Sequence, residues 1–130
     1  MNLKQLLFIK SASGGGSSIE LYDSELYPIT NGRYIQNDGT AGYNANYAAT
    51  IGYIPCEVAK SKKISLNKRP AYGTLPCIAF YTDSNTTAFI SAEANNGESE
   101  NQWVVDVPQT AKYVRFSTLA NAEDLSLKVV

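Results

Sequence analysis

Histidine is absent from this 130-residue chain. That one absence removes imidazole acid–base chemistry, any histidine-containing catalytic triad and the usual zinc sites. Charge of one sign is lacking too: the formal net charge is −1 and charged residues make up 18%, so nothing points to nucleic acid or an anionic membrane as a partner. No stretch approaches the roughly 18 consecutive apolar residues of a membrane span, and Leu3 to Ile9 is too short for the core of a signal peptide. Only two cysteines occur, Cys56 and Cys77, each directly after a proline. They are too few for a disulfide framework, and the sequence leaves a bridge between them open. Helical periodicity is missing as well, apart from a single turn's worth at Leu119 to Glu123.

What is present is a succession of short apolar and aromatic runs broken by turn residues. Ile78-Ala79-Phe80-Tyr81-Thr82 and Thr86-Thr87-Ala88-Phe89-Ile90-Ser91 flank Asp83-Ser84-Asn85, a spacing that predicts a central hairpin. Lys62 to Asn67 turns Ile64 and Leu66 to one side, and Trp103, Val105 and Val107 share a face of a strand that Pro108 stops. In Lys112 to Ser117, Val114 and Phe116 face one way and Tyr113 and Arg115 the other, the pattern of a strand with one buried side. Asp124 to Val130 places Leu125, Leu127 and Val129 inward. Edge strands are expected around 20–22, 27–29 and 33–36, because Pro28 and Asn31-Gly32 interrupt them. Asn37-Asp38-Gly39 reads as a bare turn rather than part of a calcium site, and residues 40–47 as a long loop carrying exposed tyrosines. The count is eight or nine strands. The expected fold is all-β, a jelly-roll-type β-sandwich over 19–130. Its expected core is Ile64, Leu66, Ile78, Phe80, Phe89, Val105, Val107, Val114, Phe116, Leu125 and Leu127.

Residues 1–18 read differently. Leu3, Leu6, Leu7, Phe8 and Ile9 form an apolar run, and Ser11 to Ser18 has the composition of a linker that spans on the order of 15 Å as a coil. The expectation is an N-terminal extended arm and Gly/Ser hinge, with those five side chains as assembly anchors buried in another copy or another protein.

At Tyr53-Ile54-Pro55-Cys56-Glu57-Val58, at 78–85 and at Val107-Pro108-Gln109-Thr110-Ala111-Lys112-Tyr113-Val114-Arg115-Phe116, the chain resembles carbohydrate-binding-module-like jelly-roll domains. Such domains occur in tail, baseplate and fibre proteins of bacteriophages and in bacterial surface proteins. The resemblance covers about residues 30 to 130. It departs from the family at Cys56 to Lys60, where an apolar residue and a Pro-Gly turn are usual.

The resemblance implies a non-enzymatic virion structural protein, a tail, baseplate or capsid-surface appendage, with host-surface glycan attachment as a role. It implies no cofactor and no metal, and as partners other virion proteins, copies of itself and host cell-wall polysaccharide, with assembly in the host cytoplasm. The alternative is a secreted carbohydrate-binding module. Trp103, Tyr43, Tyr47 and Tyr72 are the candidates for stacking on sugar rings, with Asn95 and Asn96 as amide partners for hydroxyls. The carboxylates Glu93, Glu98 and Glu100 fall in a Gly/Asn-rich stretch that lacks the rigid setting a glycosidase acid needs. Arg115 is expected in an ion pair with Asp83 or Asp106.

Overall fold

A computed structural model describes residues 19–70, 76–94 and 102–130. Within them the chain forms nine strands: β1 (Ile29–Ile35), β2 (Ala41–Thr50), β3 (Ile54–Pro55), β4 (Lys63–Leu66), β5 (Cys77–Tyr81), β6 (Phe89–Ala94), β7 (Trp103–Asp106), β8 (Tyr113–Leu119) and β9 (Leu127–Val129). Two short 3-10 turns, Glu57–Ala59 and Thr86–Ala88, are the remaining regular elements. The strands build two antiparallel sheets, one ordered β1-β2-β8-β5-β6 with β3 also on β8, the other β7-β4-β9. Ile19 to Leu21 extends the smaller sheet beyond β9, through a Glu20–Lys128 bridge and bonds from Leu21 N to Leu127 O and from Val129 N to Ile19 O.

The main core lies between the sheets. Ile78, Phe80, Val114, Phe116 and Ile54 from the larger sheet meet Ile64, Leu66, Trp103, Val105, Leu127 and Val129 from the smaller one, all buried. Each such side chain contributes roughly 1.5–3 kcal/mol by leaving water. The alternation in β4 and β7 is as expected: Trp103 and Val105 point in, Val104 and Asp106 out. Leu125 is only half-buried, and Phe89 packs at the edge of a second cluster instead of in the main core.

That second cluster sits on the other face of the larger sheet, where Ile35, Ala49, Ala79 and Tyr81 are buried together. Residues 113–117 were expected to have one solvated side, yet Arg115 is 4% exposed. The cover is the β1–β2 hairpin, which curls over the sheet. Gly32, at φ +82°, and a register shift between Asn31 and Arg33 bend it. Its tip then reaches the buried face, where the Gly39 carbonyl accepts bonds from Tyr81 Oη at 2.6 Å and from Arg115 Nη2 at 2.7 Å.

Strand β8 is thus the axis of the fold, bonded to β5 on one side and to β2 and β3 on the other. The 78–91 hairpin holds the edge instead. It is β5–β6, and its connection is longer than a three-residue turn because Asn85 caps the 86–88 turn through a bond from Ala88 N. Residues 41–47 are not a loop but the first part of β2. No helix forms at 119–123, where β8 runs into a turn.

Between β2 and β3 the chain steps away from β8, since Ala49 pairs with Ser117 and Ile54 with Val114, leaving two extra residues on one side. Side chains satisfy the interrupted ladder. Thr50 Oγ1 accepts from Phe116 N at 3.0 Å, and Arg115 Nη1 donates to Ile51 O at 3.1 Å. Arg115 completes its set with Nε to Tyr81 Oη at 3.1 Å and stacks over Tyr53, 4.6 Å from the ring centroid. Neither Asp83 nor Asp106 is its partner. Asp106 instead pairs with Lys63 at 2.8 Å. The two cysteines are buried and unbridged, Cys56 in the main core and Cys77 on β5.

Candidate functional site

Two surfaces stand out. The first is the β1–β2 hairpin. Its register places Arg33 opposite Tyr43, so their side chains share a face. The Arg33 guanidinium lies 4.2 Å from the centroid of the Tyr43 ring. Nε to Gly42 O at 3.1 Å and Nη2 to Ala41 O at 3.2 Å hold that guanidinium in place. Tyr43 is 80% exposed. It is therefore an aromatic ring steadied on one side by a cation and open on the other.

On the opposite face of the hairpin, since Tyr34 follows Arg33 along β1 and pairs with Gly42, Tyr34 and Tyr47 meet edge to face with centroids 5.7 Å apart. Gly42 makes room for the Tyr34 ring, since a Cβ there would come within 2.8 Å of it. Amides crowd the same edge. Asn44 Oδ1 accepts from Asn46 N at 2.9 Å, and Asn31 and Asn121 exchange two bonds, Nδ2 to Oδ1 and N to Oδ1, both 2.9 Å.

The second surface is a cleft of about 660 Å³ between residues 20–29 and the β8–β9 loop. Tyr22, Pro28, Ile29, Ala122 and Leu125 give it an apolar lining, while Glu20, Asp23, Glu123 and Asp124 give it carboxylates without a single lysine or arginine. Its loop wall is fixed from several sides. Asn121 and Asp124 take left-handed backbone, φ 60° and 55°, a conformation that asparagine and aspartate tolerate best among residues with a Cβ. Asn67 Nδ2 donates to Asp124 O at 2.8 Å, its Oδ1 accepts from Ser126 N at 2.8 Å, and Lys68 Nζ reaches Glu123 O.

Glu20 is engaged in holding the chain rather than free for chemistry. Its Oε2 accepts from Leu127 N at 2.8 Å and Tyr22 N at 3.2 Å, and its Oε1 from Ser126 Oγ. Burial and the neighbouring Asp23 charge push the Tyr22 phenol up from its ordinary value, so it stays protonated.

The residues expected to hold a ligand do not form one site. Tyr43 pairs with Arg33 and Tyr47 with Tyr34, two separate contacts on opposite faces of the hairpin. Trp103 is corrected: at 3% exposure it belongs to the core, opposite Leu66, and offers no face to a sugar. Tyr72, Asn95 and Asn96 lie outside the described residues, as do Leu3, Leu6, Leu7, Phe8 and Ile9.

Arg33 as the partner of Tyr43 and Tyr34 as the partner of Tyr47 were not legible beforehand, because 40–47 has no alternation to announce a strand. Among the cleft residues, only the Asn/Asp-rich 121–124 stretch carries a hint of special backbone. Among the described residues no group of three or more histidine, cysteine, aspartate or glutamate side chains is placed to hold a metal ion. None of their helices is long and apolar enough to cross a membrane. No family model, curated protein or solved structure matches this chain.

Proposed function

We propose that this protein is a non-catalytic binding module of jelly-roll type, an appendage on a bacteriophage particle that contacts host-surface polysaccharide through the β1–β2 hairpin. The observation that carries the reading is the Tyr43 ring. It is 80% exposed and seated on Arg33, whose guanidinium is itself bonded to two backbone carbonyls. Leaving a large aromatic in water forgoes the stabilisation its burial would bring, and a ring already immobilised loses little further freedom when it stacks on the C–H face of a pyranose. Asn44 and Asn46, which follow Tyr43 along β2, bring amides that suit hydroxyl groups. Residues 1–18, with Leu3, Leu6, Leu7, Phe8 and Ile9, serve as the anchor that attaches the module to the particle or to its own copies.

Adsorption of the purified chain to cell-wall polysaccharide tests this. Tyr43→Ala is expected to weaken binding at least tenfold while leaving the melting temperature within about 1 °C of the parent, as for a surface substitution. Unchanged adsorption removes the hairpin as the contact surface. A secreted carbohydrate-binding module would share the hairpin result. The two readings part on the arm, because deleting residues 1–10 abolishes incorporation into particles only for an appendage.

A further inference from the structure

We propose that the acidic cleft is the receptor for residues 3–10 of a second copy of this chain, an interface that rests on the anchoring role of residues 1–18. The two surfaces are complementary in kind. Residues 1–18 carry Lys4 and Lys10 and no acidic side chain at all, and between the lysines lie Leu6, Leu7, Phe8 and Ile9. The cleft presents the reverse: exposed carboxylates of Glu123 and Asp124, with Glu20 and Asp23 bonded to backbone amides behind them, no lysine or arginine in its lining, and apolar patches from Ile29 and Leu125. An apolar run flanked by cations suits a groove that combines apolar lining with carboxylates. The volume, about 660 Å³, takes a few side chains, which is what an anchor of this length brings.

The groove is also ready-made. Its loop wall is held by side chains from three other segments, Asn31, Asn67 and Glu20, so an incoming segment does not first have to order it. The geometry of the chain favours a neighbour as the donor. Residues 20–24 run along the cleft wall, and the path back from Ser24 to Ile19 leads out of it along β9, where Ile19 O is bonded to Val129 N. A chain's own arm must double back over Ile19 to reach its own cleft. Between two copies set rim to rim, the Ser11–Ser18 tether, on the order of 15 Å as a coil, delivers each arm to the other's cleft without that reversal.

The experiment uses the full chain and two charge-reversed forms. One is Lys4→Glu with Lys10→Glu. The other is Ser24→Lys with Glu123→Lys, at exposed cleft positions; the Glu123 contact to Lys68 is made by its carbonyl. Sedimentation equilibrium is expected to show self-association of the parent, weakened at least tenfold in each reversed form, with near-ultraviolet circular dichroism unchanged. An equimolar mixture of the two forms is expected to associate again, because each arm then meets a cleft of opposite sign.

Association undiminished in either reversed form overturns the proposal, as does a mixture of the two that stays monomeric or a parent that is monomeric throughout. If both reversed forms associate like the parent while deletion of residues 1–10 abolishes association, the cleft is the wrong receptor but the arm is still an anchor. If the deleted chain associates as well as the parent, the anchoring role fails too.

Discussion

Arg115 is a cation taken almost fully out of water, and neutral groups surround its guanidinium. Its charge is answered by the Gly39 and Ile51 carbonyls, the Tyr81 hydroxyl and the Tyr53 ring. This is the work of a planar fork, which places several donors in fixed directions at once. Removing it strands the Ile51 carbonyl at the β2–β3 break, and Arg115→Met is expected to cost about 3 kcal/mol in urea unfolding. Arg115→Lys keeps the charge without the fork and should recover only part of that. Full stability in the lysine variant would show that charge, not geometry, holds the hairpin tip.

The cysteines carry a second prediction. Burial, then the Glu57 charge, pushes the Cys56 thiol up to about 12, and burial, then the Asp38 charge, pushes Cys77 up to about 11, both from an ordinary 9.0. Below pH 9 folded and unfolded chains both keep these protons, so they contribute nothing to the pH dependence. Above it the unfolded chain releases them first, and stability falls as pH rises from 9 toward 11. A Cys56→Ala, Cys77→Ala double variant should show a shallower alkaline decline. An identical slope would mean that the thiols are not the groups that titrate.

Among the elements, the curled β1–β2 hairpin distinguishes this sandwich, and its two left-handed glycines make unequal contributions. At Gly39, φ +82°, an added Cβ would come within 2.5 Å of the Phe89 ring. At Gly32, also φ +82°, it would meet nothing within 4 Å. Gly32→Ala therefore pays only for the backbone conformation, on the order of 1 kcal/mol, whereas Gly39→Ala adds displacement of Phe89 and should cost clearly more, roughly 2–3 kcal/mol. Equal losses in thermal unfolding would place Phe89 off the hairpin tip.

The same hairpin shows what was legible in advance. Strands with plain alternation, such as Ile64/Leu66 and Trp103/Val105/Val107, were readable because one face is core and the other water. Strand β2 was not, since Gly42, Asn44 and Asn46 mask its period and a bulge interrupts its register. The two-sided burial of β8 was equally hidden. An arginine in a strand reads as an outward residue until the tip of another hairpin is known to cover it.

For the whole molecule, the fold class was legible and the candidate site only in part. Short runs, frequent turn residues and the lack of helical period led directly to two antiparallel sheets, whereas the pairing of Tyr43 with Arg33 and of Tyr47 with Tyr34 depends on register and bulges that composition does not encode. Trp103 misled because a lone tryptophan suits a sugar platform and a core equally well, and here Leu66 and Val105 surround its strand position. The cleft drew no attention because its walls come from 20–29 and 120–126, segments joined only by the closure of the smaller sheet.

The two proposals divide the labour of the molecule: a tyrosine hairpin for a neutral polyhydroxylated ligand and an acidic cleft for the basic arm of a neighbour. The most direct test of the central claim is amide hydrogen exchange on the full chain with and without purified cell-wall polysaccharide. The account predicts slowed exchange confined to residues 33–47 on addition of polysaccharide, with no change at residues 122–125. Protection centred on the cleft, or none in the hairpin at saturating polysaccharide, would contradict it.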